Sequence, residues 1–323
     1  MKIRAAGLLD LSRVEELHRS AASNLKEAPV PAARLWTLLS STLSAFLPLA
    51  QETLLYVAEE GGKVVGFIQA SGTPVGLDLR SAKAMQVLNL QVIDSRESED
   101  VAAALVEHLS NQALQRGAHR LFVRLPDRDS LLPVFRMQGF RQYATEQILF
   151  AEQPRRGITP APEDARAVKR GDPRRLYQLY RKVTPQHVSQ LEAPTYRDWS
   201  ALHGGEWTGR LGTRSSNREE VVVDRVELVG WVRADRSSGA QPHTLSFLAL
   251  PEPPLPDELA DLGLKLLGES QAAVWSSLRH YDSHMIDALR GRGFSVLLTQ
   301  LLLVKELALR VPVQEKGLVP SFG

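Results

Sequence analysis

Apolar residues recur along this chain with two periods, and the two alternate in a fixed order. Leu88, Leu90 and Val92 alternate with the polar Asn89 and Gln91, the period-2 mark of a half-buried strand. A polar run from Asp94 to Asp100 follows, and then Val101, Leu105, Val106 and Leu109 recur at helical spacing. Strand, polar turn and helix in that order point the first backbone N–H groups of the helix at whatever sits in front of them.

The rest of the chain repeats these signals. A short strand at Lys2–Ala5 precedes a helix near Leu11–Ser20, with Asp10 or Ser12 as its cap. A second helix is expected over about Ala32–Phe46. Thr53–Glu59 and Val64–Ala70 flank Gly61-Gly62 and read as a hairpin. After the helix that Arg116-Gly117 closes, Leu121–Leu125 is a strand, Ser130–Met137 a short helix and Phe140–Phe150 a strand. Residues 151–166, with three prolines, read as a linker. Beyond it, Ala167–Lys169, Val221–Val223, Val226–Ala234, Thr244–Leu250, Ala273–Ser277 and Ser295–Leu307 read as strands. Pro173–Arg181, Pro194–His203 (capped by Thr195), Asp257–Leu267 and Met285–Arg290 read as helices.

The second series mirrors the first. Val65-Gly66-Phe67 matches Val229-Gly230-Trp231, 164 residues on, and Gly139-Phe140 matches Gly293-Phe294, 154 residues on. The first strands match at Ile3 and Val168. Such offsets over most of both halves indicate duplication of one βααβββαβαβ unit. The expected fold class is α/β (α+β): two tandem domains, each a mixed, mostly antiparallel sheet flanked by helices. Their expected bounds are 1–150 and 167–312, with a linker at 151–166 and a tail at 313–323.

Composition narrows the chemistry. At 323 residues with 43% hydrophobic positions the chain can bury two cores. A net charge of +2 gives no electrostatic case for nucleic acid. Without cysteine there is no disulfide, thiolate metal site or cysteine nucleophile. Asp10 and Arg13 interrupt the first apolar run, which therefore does not read as a signal peptide, and no apolar run reaches membrane-spanning length. The expected compartment is the cytoplasm, with neither membrane nor nucleic acid as partner.

The order of elements, the Val64–Ala70 strand with its Val-Val-Gly-Phe run, the strand–turn–helix at Leu88–Leu109 and the run Phe135-Arg-Met-Gln-Gly-Phe140 together resemble the GNAT superfamily of N-acetyltransferases. The resemblance covers nearly the whole chain twice, as in tandem members of that superfamily. It implies acetyl-CoA as cosubstrate, a small-molecule amine or a peptide as acceptor, and direct attack of the amine on the thioester without metal. The family's pyrophosphate-binding turn, Gln/Arg-x-x-Gly-x-Gly/Ala, falls on Glu97-Ser98-Glu99-Asp100-Val101-Ala102, with Val92 on the strand before it. Only Ala102 conforms. Glu97, Glu99 and Asp100 either face the phosphates, at a cost on the order of 1 kcal/mol per close contact, or simply favour an exposed helix start. The Tyr that often serves as general acid falls on Phe135 and Leu289, neither of which donates a proton, so no catalytic residue is assigned.

In the second half the corresponding turn holds Pro251, Pro253, Pro254 and Pro256, which offer no N–H, with Glu258 near the central Gly position. The expected function is an acetyl-CoA-dependent N-acetyltransferase, with the N-terminal half as the active one. The alternative is a GNAT-fold binding or scaffold protein that has lost acetyl-CoA use in one or both domains.

Three further features stay open. His280 and His284 would share a helix face but lack a third metal ligand. The run Gly204–Arg218, with Trp207, is either a lid or a surface loop. Asn89 and Gln91 face either a pocket or solvent.

Overall fold

One twisted sheet of twelve strands runs through the whole molecule in the order β1-β2-β3-β4-β5-β12-β6-β11-β10-β9-β8-β7. The computed structural model describes residues 1–23, 53–72, 84–95, 97–155, 157, 159–204, 217–237, 241–268 and 272–307. The helix expected at Ala32–Phe46, Arg96, the run around Trp207 and the tail 313–323 lie outside the described residues.

The N-terminal half contributes β1 (Lys2–Ala5), α1 (Leu11–Ser23), β2 (Thr53–Glu60), β3 (Lys63–Gly72) and β4 (Ala84–Val92). It continues with α2 (Ser98–Gln115), β5 (Arg120–Pro126), α3 (Leu132–Met137) and β6 (Arg141–Ala151). The C-terminal half repeats the order with β7 (Ala165–Ala167), α4 (Pro173–Val183), α5 (Gln186–Glu192), α6 (Tyr196–Gly204), β8 (Arg218–Asp224) and β9 (Leu228–Asp235). It closes with β10 (His243–Ala249), α7 (Leu255–Leu266), β11 (Val274–Arg279), α8 (Ser283–Arg290) and β12 (Ser295–Glu306).

All neighbouring pairs are antiparallel except β4–β5 and β10–β11, which are parallel. The last strands are exchanged between halves. β12 pairs with β5 along Gln300–Glu306 and with β6 on its other side, while β6 pairs with β11. Each half thus lends its final strand to a seam that neither completes alone.

Helices cover both faces of the sheet. On one face α2 and α3 bury Leu105, Leu109 and Phe135 against β2–β5, and α7 and α8 bury Leu259, Leu262 and Leu289 against β9–β11. On the other face α1 packs Leu17 on Val57 and Phe67, and α4 and α6 pack Leu176, Leu179 and Trp199 on Val222 and Trp231. Two glycines let the longer helices settle. A Cβ on Gly66 would lie 2.9 Å from the Gln91 carbonyl and 3.4 Å from Leu105, and one on Gly230 would lie 2.8 Å from Leu259.

The duplication is visible in atoms. Arg4 donates to both carboxylate oxygens of Asp10 (2.6 and 2.9 Å) and to Glu59, and Asp10 also accepts the Gly7 N–H at 2.7 Å. Arg166 makes the same fork to Asp172 (2.7 and 2.9 Å) and reaches Asp224, and Asp172 accepts the Lys169 N–H at 2.7 Å. Bidentate Arg–carboxylate pairing fixes direction as well as distance, so both knots tie the first strand to the helix entry in one geometry. They correct two expectations. The first strands correspond at Arg4 and Arg166, 162 residues apart, and not at Ile3 and Val168, which lies beyond β7. Asp10 turns back to Arg4 and Gly7 and does not cap α1.

The Gly-Phe landmarks are helix stops. Gly139 and Gly293 adopt φ of 83° and 85°. The N–H of Phe140 returns to the Phe135 carbonyl, and that of Phe294 to the Leu289 carbonyl. This is the Schellman closure, in which a left-handed residue satisfies the last carbonyls. It drives Phe140 into the core, edge-on to Phe135 at 5.1 Å.

Candidate functional site

The parallel pair β4–β5 opens into a fork. Its pairing runs from Ala84–Arg120 to Val87–Val123 and stops there. Beyond that point β4 stays with β3 as far as Val92, and β5 stays with β12 as far as Pro126. At the apex β4 carries a bulge: Gln69 pairs with Asn89 and Ala70 with Val87, so Leu88 has no partner. An extra residue bends its strand and interrupts the ladder, and past Val87 the side of β4 that faced β5 has no strand paired to it. The bulge also resets the alternation. Met85 and Val87 face α2, and past Leu88 it is Leu90 and Val92 that do so. The even run Leu88, Leu90, Val92 in the sequence is therefore not one face of a strand.

The helix after β4 stands at the mouth of the fork. Val101 (5% exposed) and Ala102 (0%) are buried under it in the N-terminal core, with Val92 packed against them. Ser98 is half-buried, and Glu97, Glu99 and Asp100 are exposed. Glu97 occupies the N-cap position without a side-chain cap bond. Among the backbone donors of this turn, Ser98 N–H goes to the Ser95 carbonyl (3.2 Å) and Val101 N–H to the Glu97 carbonyl (3.0 Å). The three acids thus stand in water at the positive end of an 18-residue helix, where negative charge is favoured.

On the face of the fork opposite α2 polar side chains sit beside the aromatic Phe67 and Phe122. Asn89 donates to Gln69 Oε1 at 2.7 Å, with Gln91 further along the same strand. Arg124 is the first residue of β5 past the end of β4–β5 pairing. Its alternation with the α2-facing Val123 and Leu125 puts it on the polar side. His18 of α1 lies 6.5 Å from the Phe67 ring, and burial lowers its pKa below the ordinary histidine value. Sequence reading missed Arg124. Its signal was there in the alternation Leu121, Val123, Leu125 against Phe122, Arg124.

The seam continues this polar row. Pro126, Gln300, Glu146 and Arg279 lie side by side across β5, β12, β6 and β11. Glu146 (5% exposed) lies 3.9 Å from Arg124 and 3.6 Å from Arg279. Burial alone would raise the Glu146 pKa; the two guanidiniums outweigh it and keep the carboxyl below its ordinary value. Arg279 also donates to Glu192 at 2.9 Å, which accepts the Tyr143 hydroxyl at 2.7 Å. Glu192 ends α5, a helix the sequence reading did not find, and Arg120 binds the Leu191 carbonyl beside it at 2.8 Å.

The second half has a fork of the same kind but a different mouth. β10 pairs with β11 from His243 to Leu245, and with β9 down to Ala249–Gly230 without a register shift. The bulge is absent. Aligning Gly66 with Gly230 and Leu105 with Leu259 puts Pro254 at the position of Asp100. Glu258 lies further along, in the first turns of α7, with its N–H on the Pro254 carbonyl.

Arg292 then closes the groove between α7 and α8. It donates to Asp261 (2.5 and 2.8 Å), to Asp257 (2.8 Å) and to the Ala288 carbonyl (2.7 Å). Asp261 also accepts N–H groups of Gly157 (2.9 Å) and Thr159 (3.2 Å), so the Pro-rich segment is strapped over this end of the second half. A Cβ on Gly157 would collide with the Asp261 carboxylate. The first half has Gln138 where the second has Arg292.

The two positions where resemblance implies a tyrosine are sealed. Phe135 and Leu289 are each 0% exposed. Of the two histidines, His280 precedes α8 and its N–H bonds the Thr145 carbonyl, so it shares no helix face with His284. Among the described residues no group of three His, Asp or Glu is placed to hold a metal, and no helix is long and apolar enough to cross a membrane.

Residues 14–140 match the family model described as the acetyltransferase (GNAT) family. Over nearly its full length the chain superposes on a tandem GNAT protein from the clavulanic acid biosynthesis pathway, with TM-score 0.54, 16% identity, and 95% of this chain and 99% of that one covered. The fold is that of a tandem GNAT protein. A GCN5-related N-acetyltransferase from Sphaerobacter thermophilus aligns with TM-score 0.57 and 16% identity over 95% of this chain and 96% of its own. A putative acetyltransferase from Pyrococcus horikoshii aligns with TM-score 0.52 and 11% identity over 94% and 89%. No curated protein sequence matches the chain.

Proposed function

We propose that the N-terminal half of this tandem GNAT chain is an acetyl-CoA-dependent N-acetyltransferase acting on a small amine. The bulged fork between β4 and β5 carries this reading. Unpaired strand backbone inside a fork is a template for an extended, amide-bearing chain, and the pantetheine arm of CoA is such a chain. The residues fit the rest of the molecule less comfortably. The mouth at Val92, Glu97, Ser98, Glu99, Asp100, Val101 and Ala102 offers a helix start to the pyrophosphate, with Ala102 beneath it. The exposed acids there weaken an anion's affinity without walling it off. Acetyl-CoA, when bound, supplies the activated acyl group. The protein aligns the amine with it, a contribution that proximity makes large without a protonating residue.

The C-terminal half reads as scaffold. Its fork has no bulge, its turn is proline-rich, and Arg292 ties α7 to α8 and to the strap. Neither half offers a hydroxyl at the tyrosine position.

Calorimetric titration with acetyl-CoA at low and moderate salt tests the reading, alongside Ser98→Trp. Micromolar binding that weakens with salt and is abolished by the added indole places the cosubstrate at the fork. Absence of heat at millimolar acetyl-CoA would remove the enzyme reading and leave the scaffold.

A further inference from the structure

Glu192 of α5 belongs to the second half by sequence, yet both halves use its side chain. It accepts the Tyr143 hydroxyl of β6 at 2.7 Å and a guanidinium N–H of Arg279 on β11 at 2.9 Å. Tyr143 reaches it because β6 bulges there. Ala144 pairs with Leu302 and Gln142 with Leu303, so Tyr143 has no partner on β12 and packs with Ala144 and Val188 under α5. Arg120 of β5 pins the same end of the helix through the Leu191 carbonyl.

From Glu192 the charges alternate across the seam toward the first fork. Arg279 lies 3.6 Å from Glu146, and Glu146 lies 3.9 Å from Arg124, which stands just past the last β4–β5 pair. These two contacts are ionic and too long for hydrogen bonds. Arg279 is thus divided between two acids, and the buried Glu146 between two guanidiniums. Arg279 also keeps a donor in reserve: its Nη1 is buried with no hydrogen-bond partner among the described residues. In a divided row, tightening one contact loosens the next.

We propose that Glu192 is a positioning residue for the first fork: by holding Arg279 it leaves Glu146 to steady Arg124 at the apex. The second half then helps set the charge that the first fork presents to a ligand. That use rests on the transfer reading of the fork; the coupling itself does not.

The test is reaction of the full chain with phenylglyoxal, an arginine reagent, resolved by site with peptide mass spectrometry. Arg124, with its side chain 23% exposed, reports the apex, and the sealed Arg292 (7%) reports that the fold is intact. Glu192→Gln lets Arg279 turn wholly to Glu146, and Arg124 should react about threefold faster or more. Arg279→Met gives Glu146 to Arg124 alone, and Arg124 should react about threefold slower or more. Tyr143→Phe removes the other hydrogen bond to Glu192 and should leave the rate as it is.

A merely loosened α5 would raise the rate in all three variants. An Arg124 rate that does not rise in Glu192→Gln, does not fall in Arg279→Met, or rises in Tyr143→Phe overturns the proposal. Either charge variant decides alone should modification of Arg292 show the other to be unfolded. Calorimetric titration of the same samples with acetyl-CoA separates the two readings. Opposite shifts at Arg124 without acetyl-CoA binding keep the coupling and remove transfer. Acetyl-CoA binding without those shifts keeps transfer and removes the role of Glu192.

Discussion

The two halves of this molecule share a fold and even an ion-paired knot, Arg4–Asp10 and Arg166–Asp172, yet their forks have diverged. The N-terminal fork keeps an unpaired Leu88 and a helix start in water. The C-terminal fork has lost the extra residue, and Arg292 and the strap close its helix groove. What stayed common is what folding needs: the strand–helix knot, the close-approach glycines and the Schellman stops. Past their parallel pairs both forks leave strand backbone open, beyond Val87 in β4 and beyond Leu245 in β10, so the halves differ in the bulge and in the closure of the helix groove, not in the opening itself.

The largest test of this contrast removes the part the halves share. Chains ending at Arg292, before β12, leave β5 without its neighbour on one side and β6 without its neighbour on the other. They should fail to fold cooperatively, because two apolar strand edges open in the middle of the sheet. The intact chain should unfold in a single transition seen alike by circular dichroism and tryptophan fluorescence. A folded, soluble truncation would show that the halves are independent and that the seam is ornamental.

Next in size is the closure that separates the two grooves. Arg292→Ala strands the buried Asp261 carboxylate and frees the strap, and should cost about 3–5 kcal/mol in urea unfolding. Gln138→Ala, at the same place in the first half, should cost less than about 0.5 kcal/mol. Limited proteolysis should cut residues 152–164 only in the first variant. Comparable losses in both would mean that the grooves are closed to the same degree.

Much of this architecture was legible in the sequence. Amphipathic periodicity over 11 to 18 residues gave the long helices, and the Gly61-Gly62 turn gave its hairpin, because both signals are local. Thr195 caps α6 as expected, exchanging hydrogen bonds with Asp198. The strand exchange was not legible. β6 and β12 each read correctly as a closing strand, but the choice of neighbour is a long-range pairing that no local pattern specifies.

The β4 bulge was hidden for the opposite reason: Leu88 mimics the alternation it interrupts. Helix α5 was missed because its seven residues bury only Val188 and Ser189 and follow Pro185. Around the fork, the turn and the polar Asn89 and Gln91 were picked out from the sequence, but Arg124 was not. Arg124 gains its meaning from β12 and β6, strands that come from distant parts of the chain.

The smallest effect lies at the start of α8, where the two halves again differ. Asp129 before α3 and Asp282 before α8 both accept a backbone N–H from their own turn, and burial raises both carboxyls above the ordinary value. Asp282 is displaced further, to about 7, chiefly by burial and against the pull of Arg279. A carboxyl whose folded pKa is raised favours the folded state below its unfolded pKa, and that contribution drains away as pH rises through the folded value.

Asp282→Asn keeps an acceptor for the Arg279 N–H and has no proton to lose. Relative to wild type it should therefore gain nothing near pH 4 and become the more stable protein by pH 8, by about 2 °C in Tm or more. A Tm difference that stays flat from pH 4 to 8 would mean that Asp282 ionises freely, and that the seam end of α8 is wetter than its packing implies.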